Sequence, residues 1–367
     1  MKKIITLAVA SAFAAPTVLA EVTVYGLAAP SVEYSKISDT TSQDLTRVRL
    51  VDDVSRIGFK GTDKLDNGVK LLWQIENRVY IGTGDTDQST GFNTRDTFVA
   101  LEGNFGQVKV GSAINDLPWQ SKGDYLSGLQ QWNETVNGVH KSIGQSEARL
   151  NNIAQYTSPV FLGGARVKAL YDFGAKTTAG NYQGLQASAM YKTQMFKVGA
   201  TYKQNNDTDK TGATATTTVT PASEAFLKNY QFGGTLTPVA GLDISAMWDR
   251  NKKKASASAA EYKQDAWAIG ANYTTGKHGF GIHYGKVNEQ KINGVTDPDT
   301  GAYFVAAQYK YALSKQTFAH ASFGHVKNDA RAKLNMGTTK VTESTGTYAA
   351  INGMKVTTLV AGIATSF

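Results

Sequence analysis

Leu185-x-Ala187-x-Ala189-x-Tyr191 is followed, after four intervening residues, by Phe196-x-Val198-x-Ala200-x-Tyr202. Successive side chains of a strand point to opposite faces, so each run reads as a β-strand with an apolar row on one side. Polar or small residues occupy the other side: Gln186 and Ser188 in the first run, Lys197, Gly199 and Thr201 in the second. Both rows finish on tyrosine. An apolar row ending on an aromatic suits a strand that crosses a bilayer and ends at its water boundary.

The same pattern recurs along the chain. It appears at Val69-x-Leu71-x-Trp73-x-Ile75, Val167-x-Ala169-x-Tyr171, Leu242-x-Ile244-x-Ala246-x-Trp248 and Trp267-x-Ile269-x-Ala271-x-Tyr273. Phe280-x-Ile282-x-Tyr284, Tyr303-x-Val305-x-Ala307-x-Tyr309 and Thr317-x-Ala319-x-Ala321-x-Phe323 continue it. Connections alternate in length, with short ones at 103–106, 162–164, 237–240 and 313–315. Long polar ones fall around 79–94, 113–150, 205–226, 251–262, 288–300 and 326–353. Short turns at one rim and long loops at the other are the pattern of an outer-membrane barrel. The expected fold is all-β: a transmembrane antiparallel β-barrel of about sixteen strands, wide enough to enclose an aqueous lumen.

Both ends fit this reading. Lys2 and Lys3 precede an apolar run, and Val18-Leu19-Ala20 suits a cleavage site, so residues 1–20 are expected to be a secretory signal peptide and 21–367 the barrel. Thr357–Phe367 alternate as a last strand, with Leu359, Ala361, Ile363, Thr365 and Phe367 on one face. In a closed barrel that strand pairs with the first. Beyond the leader no apolar stretch is long enough for a membrane helix. There are 0 cysteines, which excludes thiolate metal sites and cysteine nucleophiles. The net charge of +8 comes without a basic cluster interleaved with aromatics, so nucleic acid is not an expected partner. Lys253 and its neighbours read as a solvated loop.

Several segments carry a resemblance to a known family. These are Val22-Thr23-Val24-Tyr25-Gly26, Ser55-Arg56-Ile57-Gly58-Phe59-Lys60-Gly61, Asn67-Gly68-Val69-Lys70 and Trp73-Gln74-Ile75-Glu76. Gly106-Gln107-Val108-Lys109-Val110-Gly111, Ala148-Arg149-Leu150, Tyr156-x-Ser158-Pro159 and Phe367 complete the set. In this order the chain resembles the general porins of Gram-negative outer membranes, above all the neisserial and related betaproteobacterial porins. The resemblance implies passive diffusion of ions and small hydrophilic solutes through a homotrimer of barrels embedded in outer-membrane lipid and lipopolysaccharide. It also implies delivery by the outer-membrane assembly machinery, which reads the terminal strand and Phe367. The third long loop, 112–149, would fold into the lumen as a constriction bearing Asp116, Asp124 and Glu134.

Strand parity assigns a pore lining: Lys70, Gln74, Glu76, Lys109, Arg166, Lys168, Lys197, Lys203, Lys310 and His320 point away from the apolar rows. Arg56 and Arg95 join them through the resemblance, as part of a basic strip opposite the third loop, and with Lys70 they lie close to the strands from which that loop departs. Gln155 falls where neisserial members commonly carry a basic residue, which weakens the positive wall. A weakly anion-selective pore follows from the basic excess. No hydrolase, nucleotide or cofactor motif is present, and no histidine pairing suits a metal. Asp85-Thr86-Asp87 and Asp297-Pro298-Asp299-Thr300-Gly301 lack full calcium-loop spacing and read as polar loop tips. The alternatives are a surface adhesin acting through its long loops and a barrel-embedded hydrolase.

Overall fold

Cross-strand pairing between the chain's first and last strands is what closes the molecule. The computed structural model describes residues 22–38, 44–53, 55–81, 95–114, 126–130, 132, 149–174, 176–177, 180–181, 183–206, 226–255, 259–336, 342–343, 346–347 and 352–367. The expected leader, 1–20, lies outside them.

Sixteen antiparallel strands form one closed sheet. Strand β1 runs Thr23–Ala28 and resumes as Pro30–Ser38; β2 runs Asp44–Asp52 and resumes as Arg56–Lys64. Then come β3 (Lys70–Arg78), β4 (Thr97–Gly103), β5 (Gly106–Ile114), β6 (Arg149–Thr157), β7 (Ala165–Asp172) and β8 (Gln183–Lys192). The far wall is β9 (Phe196–Asn206), β10 (Phe226–Val239), β11 (Leu242–Lys254), β12 (Tyr262–Thr275) and β13 (His278–Val287). It continues through β14 (Ala302–Ala312), β15 (Thr317–Asn328) and β16 (Lys355–Ser366). The two opening strands break at the same level, where side chains replace ladder bonds: Ala29 N–H donates to Ser55 Oγ at 2.9 Å, and Ser55 N–H to Asp52 Oδ1 at 2.8 Å.

The seam pairs Leu27 with Ser366 and Ser31 with Gly362, and runs on to Ser38 with Lys355. Phe367 exchanges both backbone bonds with Gly26, and its ring lies where a Gly26 Cβ would stand, 2.2 Å from Cζ. Only glycine leaves room for that aromatic at the seam.

The expected alternation holds. Val99, Leu101, Val108, Val110, Ile269, Ile282, Leu359 and Ile363 are exposed on the outward face, which is the apolar band presented to lipid. Among the boundaries that shift are those of β10 and β11. Thr237–Val239 still belong to β10, so the turn is Ala240–Gly241. Asn251–Lys254 are strand and not loop, because Phe226–Asn229 on one side and Tyr262–Gln264 on the other complete their ladders. Cross-strand pairing overrides the low strand preference of a Lys-rich run.

Candidate functional site

The inward face of β1–β4 is built from arginines held on carboxylates. Glu76, 6% exposed, accepts Arg95 Nε at 2.5 Å and the Tyr25 hydroxyl at 3.0 Å, with Arg56 Nε 3.5 Å from its second oxygen. Tyr25 reaches it by crossing Gly58, where a Cβ would sit 2.4 Å from the ring. Arg49 grips Glu33 with Nε at 3.0 Å and a second nitrogen at 3.2 Å. Arg78 donates to Asp52 Oδ1 at 3.2 Å. Arg56 and Arg95 thus do come together, but around an acid of the same wall. Lys70 stands apart from them. It lies at the short-turn end of β3, 3.6 Å from Glu102 and roughly 20 Å along the strand from Glu76. Gln74 donates to the Asp96 carbonyl at 3.1 Å.

The next wall segment, β4–β7, gathers four expected residues. Lys109, Gln155, Arg166 and Lys168 line one polar cavity of about 500 Å³ with Glu102, Gln107 and Ser158. Lys109 and Gln155 are direct cross-strand partners, and the Lys109 ammonium lies 5.1 Å from the Phe98 ring centre. Gln155 is 4% exposed and donates to Thr157 Oγ1 at 3.2 Å.

Between the end of β5 and the start of β6, residues 126–130 and 132 are the described part of the 112–149 segment, and they rest on the inward face of β9–β14. Ser127 N–H donates to Thr235 Oγ1 at 3.1 Å, and Gly128 N–H to Ser245 Oγ at 2.7 Å. Asn272 Nδ2 bridges the carbonyls of Ser127 and Gln130, at 2.9 and 2.8 Å. Gln308 accepts from Trp132 N–H at 3.0 Å and donates to the Gln130 carbonyl at 3.0 Å. Lys197 donates to Ser127 Oγ at 2.8 Å, and Lys310 stands 4.4 Å over the Trp132 ring. Leu126 and Leu129 fill a small apolar patch with Met247 and Ala268. Asp116, Asp124 and Glu134 lie outside the described residues.

The inward face is not polar throughout. Ile37, Ala266, Val287, Phe304, Val326, Val356 and Val360 form an apolar patch covered by Leu334, Met336 and Met354. Asn328, 4% exposed, pins this cover through Leu334 N–H and the carbonyls of Leu334 and Met354. Asp297, one of the loop-tip acids, pairs with Arg331.

Ser31, Asp53 and His320 also converge. Ser31 donates to Asp53 Oδ2 at 2.5 Å, with His320 Nε2 at 3.4 Å from the hydroxyl. The hydroxyl proton is directed at the acid instead of the imidazole, and all three groups are buried, so the set is not a nucleophile relay. No trio of described His, Asp or Glu residues is placed to hold a metal ion.

The sequence profile of the Gram-negative porin family matches residues 6–331. The chain belongs to the Gram-negative porin family. The major outer membrane protein P.IB of Neisseria meningitidis serogroup A / serotype 4A is 35% identical over 206 residues, 52% of this porin. The porin spans little more than half, 56%, of that relative's length. A second P.IB protein, from N. meningitidis serogroup B, is 31% identical over 271 residues, covering 70% of this porin and 69% of the relative. Among solved structures, the anion-selective porin from Comamonas acidovorans superposes with a TM-score of 0.70 at 21% identity, covering 95% of this porin and 100% of that chain. The trimer form of OmpT from Vibrio cholerae gives 0.68 at 15%, covering 95% and 99%. Family and fold together place this porin in the outer membrane.

Sequence parity brought Glu76 to the porin's inward face but did not reveal its partners. Glu33, Asp52 and Arg49 went unnoticed: Glu33 and Arg49 sit on the polar side of their strands and are open to the same count, whereas Asp52 shares the parity of exposed Val48 and Leu50 and meets Arg78 only because the strand breaks there. Tyr25, Asn272 and Gln308 could be recognised only once strand register had brought them beside their partners.

Proposed function

We propose that this porin forms a water-filled channel for passive diffusion of ions and small hydrophilic solutes, with a weak preference for anions. The closed sixteen-stranded barrel with its charged inward face carries the reading, since a barrel of that size surrounds a lumen. The anion preference draws on the cationic cavity of Lys109, Arg166 and Lys168, and on Glu33, Asp52 and Glu76 each being engaged by arginine. The structural neighbour described as anion-selective supports the same sign. The segment 112–149 narrows the lumen in this reading, supported by the docking of 126–130 and 132 on the opposite wall. The working unit is a homotrimer, as in the trimer form of OmpT.

Reversal potentials across a planar bilayer under a salt gradient test the proposal. Discrete conducting steps with a modest anion preference are expected, reduced in Arg166→Ala/Lys168→Ala. A clear cation preference would overturn the selectivity, and absence of conducting steps the channel itself.

A further inference from the structure

The long-loop ends of β10–β14 and the segment that follows β15 enclose a second cavity on the inward face. Its volume is about 720 Å³, inside the range of roughly 300–1,000 Å³ usual for small-molecule sites. Strand register builds its wall. Leu227 pairs across to Lys253 and Lys253 to Tyr262, and the next inward row along the same strands is Asn229, Asn251 and Gln264. Residues 331–334, anchored where Asn328 accepts Leu334 N–H, complete the lining.

Two kinds of surface meet here. Leu227, Tyr262, Val287, Ala302, Ala332 and Leu334 supply an apolar floor, continuous with the patch around Phe304 and Met336. Lys253, Lys254, Arg331 and Lys333 supply cations, and no acid is among the described residues that line the cavity. Of the acids nearby, Asp297 holds Arg331 and Glu261 holds Lys252, both from outside the lining. The Lys253 ammonium stands 5.1 Å from the Tyr262 ring centre, so positive charge lies at the edge of the apolar floor.

Apolar surface left open to water in a lumen is unfavourable, and it gains nothing from chloride or from a sugar. A neutral apolar solute would cover the floor and leave the cations unused. A solute with a carboxylate at one end and an apolar ring at the other engages both. The basic cavity of Lys109, Arg166 and Lys168 lies at the short-turn end and has no aromatic or branched aliphatic side chain among its described lining. It offers charge alone.

We infer that the cavity between Leu227, Tyr262 and residues 331–334 is a binding site for small aromatic carboxylates entering from the long-loop side. The carboxylate sits among the lysines and the ring lies on the apolar floor. The inference rests on the channel reading and names a solute class within it.

The test records single channels of the full-length protein in a planar bilayer, first in salt alone and then with phenylacetate, acetate or 2-phenylethanol. In wild type, phenylacetate is expected to interrupt the current with a half-maximal effect at a concentration roughly tenfold below that of acetate, because the ring adds apolar burial. The uncharged 2-phenylethanol should leave the current unchanged. Lys253→Gln/Lys333→Gln, at two exposed side chains, and Leu227→Thr on the floor should each raise the half-maximal phenylacetate concentration severalfold. Discrete conducting steps in salt alone show that each variant has folded. Arg166→Ala/Lys168→Ala should keep the phenylacetate effect while its reversal potential shifts. Equal effects of phenylacetate and acetate on a conducting wild-type channel would overturn the site, as would variants that respond as wild type does, and an equal effect of 2-phenylethanol would overturn the role of the cations. Absence of conducting steps in salt alone would overturn the channel reading and the site with it.

Discussion

Glu76 shows what one inward residue does in a wall of this kind. Its carboxylate takes up Arg95, Arg56 and the Tyr25 hydroxyl, so charges from β2, β3 and the residues before β4 are joined at one point. Removing a buried partner leaves the others uncompensated, which costs more than the pair itself contributes. Glu76→Gln is therefore expected to destabilise the barrel by about 1–3 kcal/mol, moderated by water in the lumen. It should also move the reversal potential towards anions, because two guanidinium groups lose their acid. Denaturant unfolding and bilayer recordings check the two effects. A shift towards cations would show that Glu76 does not screen these arginines from the pore. Asn328 is a second such residue. Its amide closes three backbone bonds around Leu334 and Met354. Asn328→Ala should cost about 1–3 kcal/mol and make 329–336 the first site of limited proteolysis; unchanged digestion would show that the cover is held by packing alone.

At the scale of elements, the strands were legible and the covering segments were not. A period of two is written into every strand by its own residues, so Leu185–Tyr191 and Phe196–Tyr202 announce themselves. Whether β11 stops at Asp249 or runs on to Lys254 depends on partners tens of residues away, and the local run of lysines pointed to a loop. The docking of 126–130 and 132 is less legible still. Its bonds go to Thr235, Ser245, Asn272 and Gln308, more than a hundred positions distant, and no local pattern encodes such contacts. Lys70 was misgrouped for a similar reason. Proximity in sequence to the loop strands said nothing of which end of β3 it occupies. Asn272→Ala combined with Gln308→Ala removes four of the bonds that hold Ser127, Gln130 and Trp132. Single-channel conductance is expected to rise and to become noisier as the segment leaves the wall. Unchanged conductance would remove this segment from the narrowing of the lumen.

At the scale of the molecule, every strand has two neighbours only because β1 meets β16. The seam depends on Ser31–Ser38 against Lys355–Gly362 for most of its length, and at the short-turn end on Leu27, Ala28 and Gly26 against Thr365, Ser366 and Phe367. Phe367 supplies two backbone bonds there, and its ring covers the outward face of Gly26, which has no side chain of its own. Phe367 as a residue remains 59% exposed, with its ring on the face that meets lipid. It is an interfacial aromatic placed at the point of closure. Its ring packs on the outward side of Gly26, so its loss should change how many barrels close and not how closed barrels conduct. Deleting Phe367, or replacing it by Asp, is expected to lower heat-resistant assembled protein in the outer membrane severalfold while single-channel conductance of the surviving pores stays at the wild-type value. Gly26→Val is expected to act in the same direction, since its side chain would displace the ring without touching the chain's last residue. Normal assembly of Gly26→Val together with failure of the Phe367 deletion would separate the two roles. The ring's contact would then be dispensable, and recognition of the terminal residue during assembly would be the part that matters.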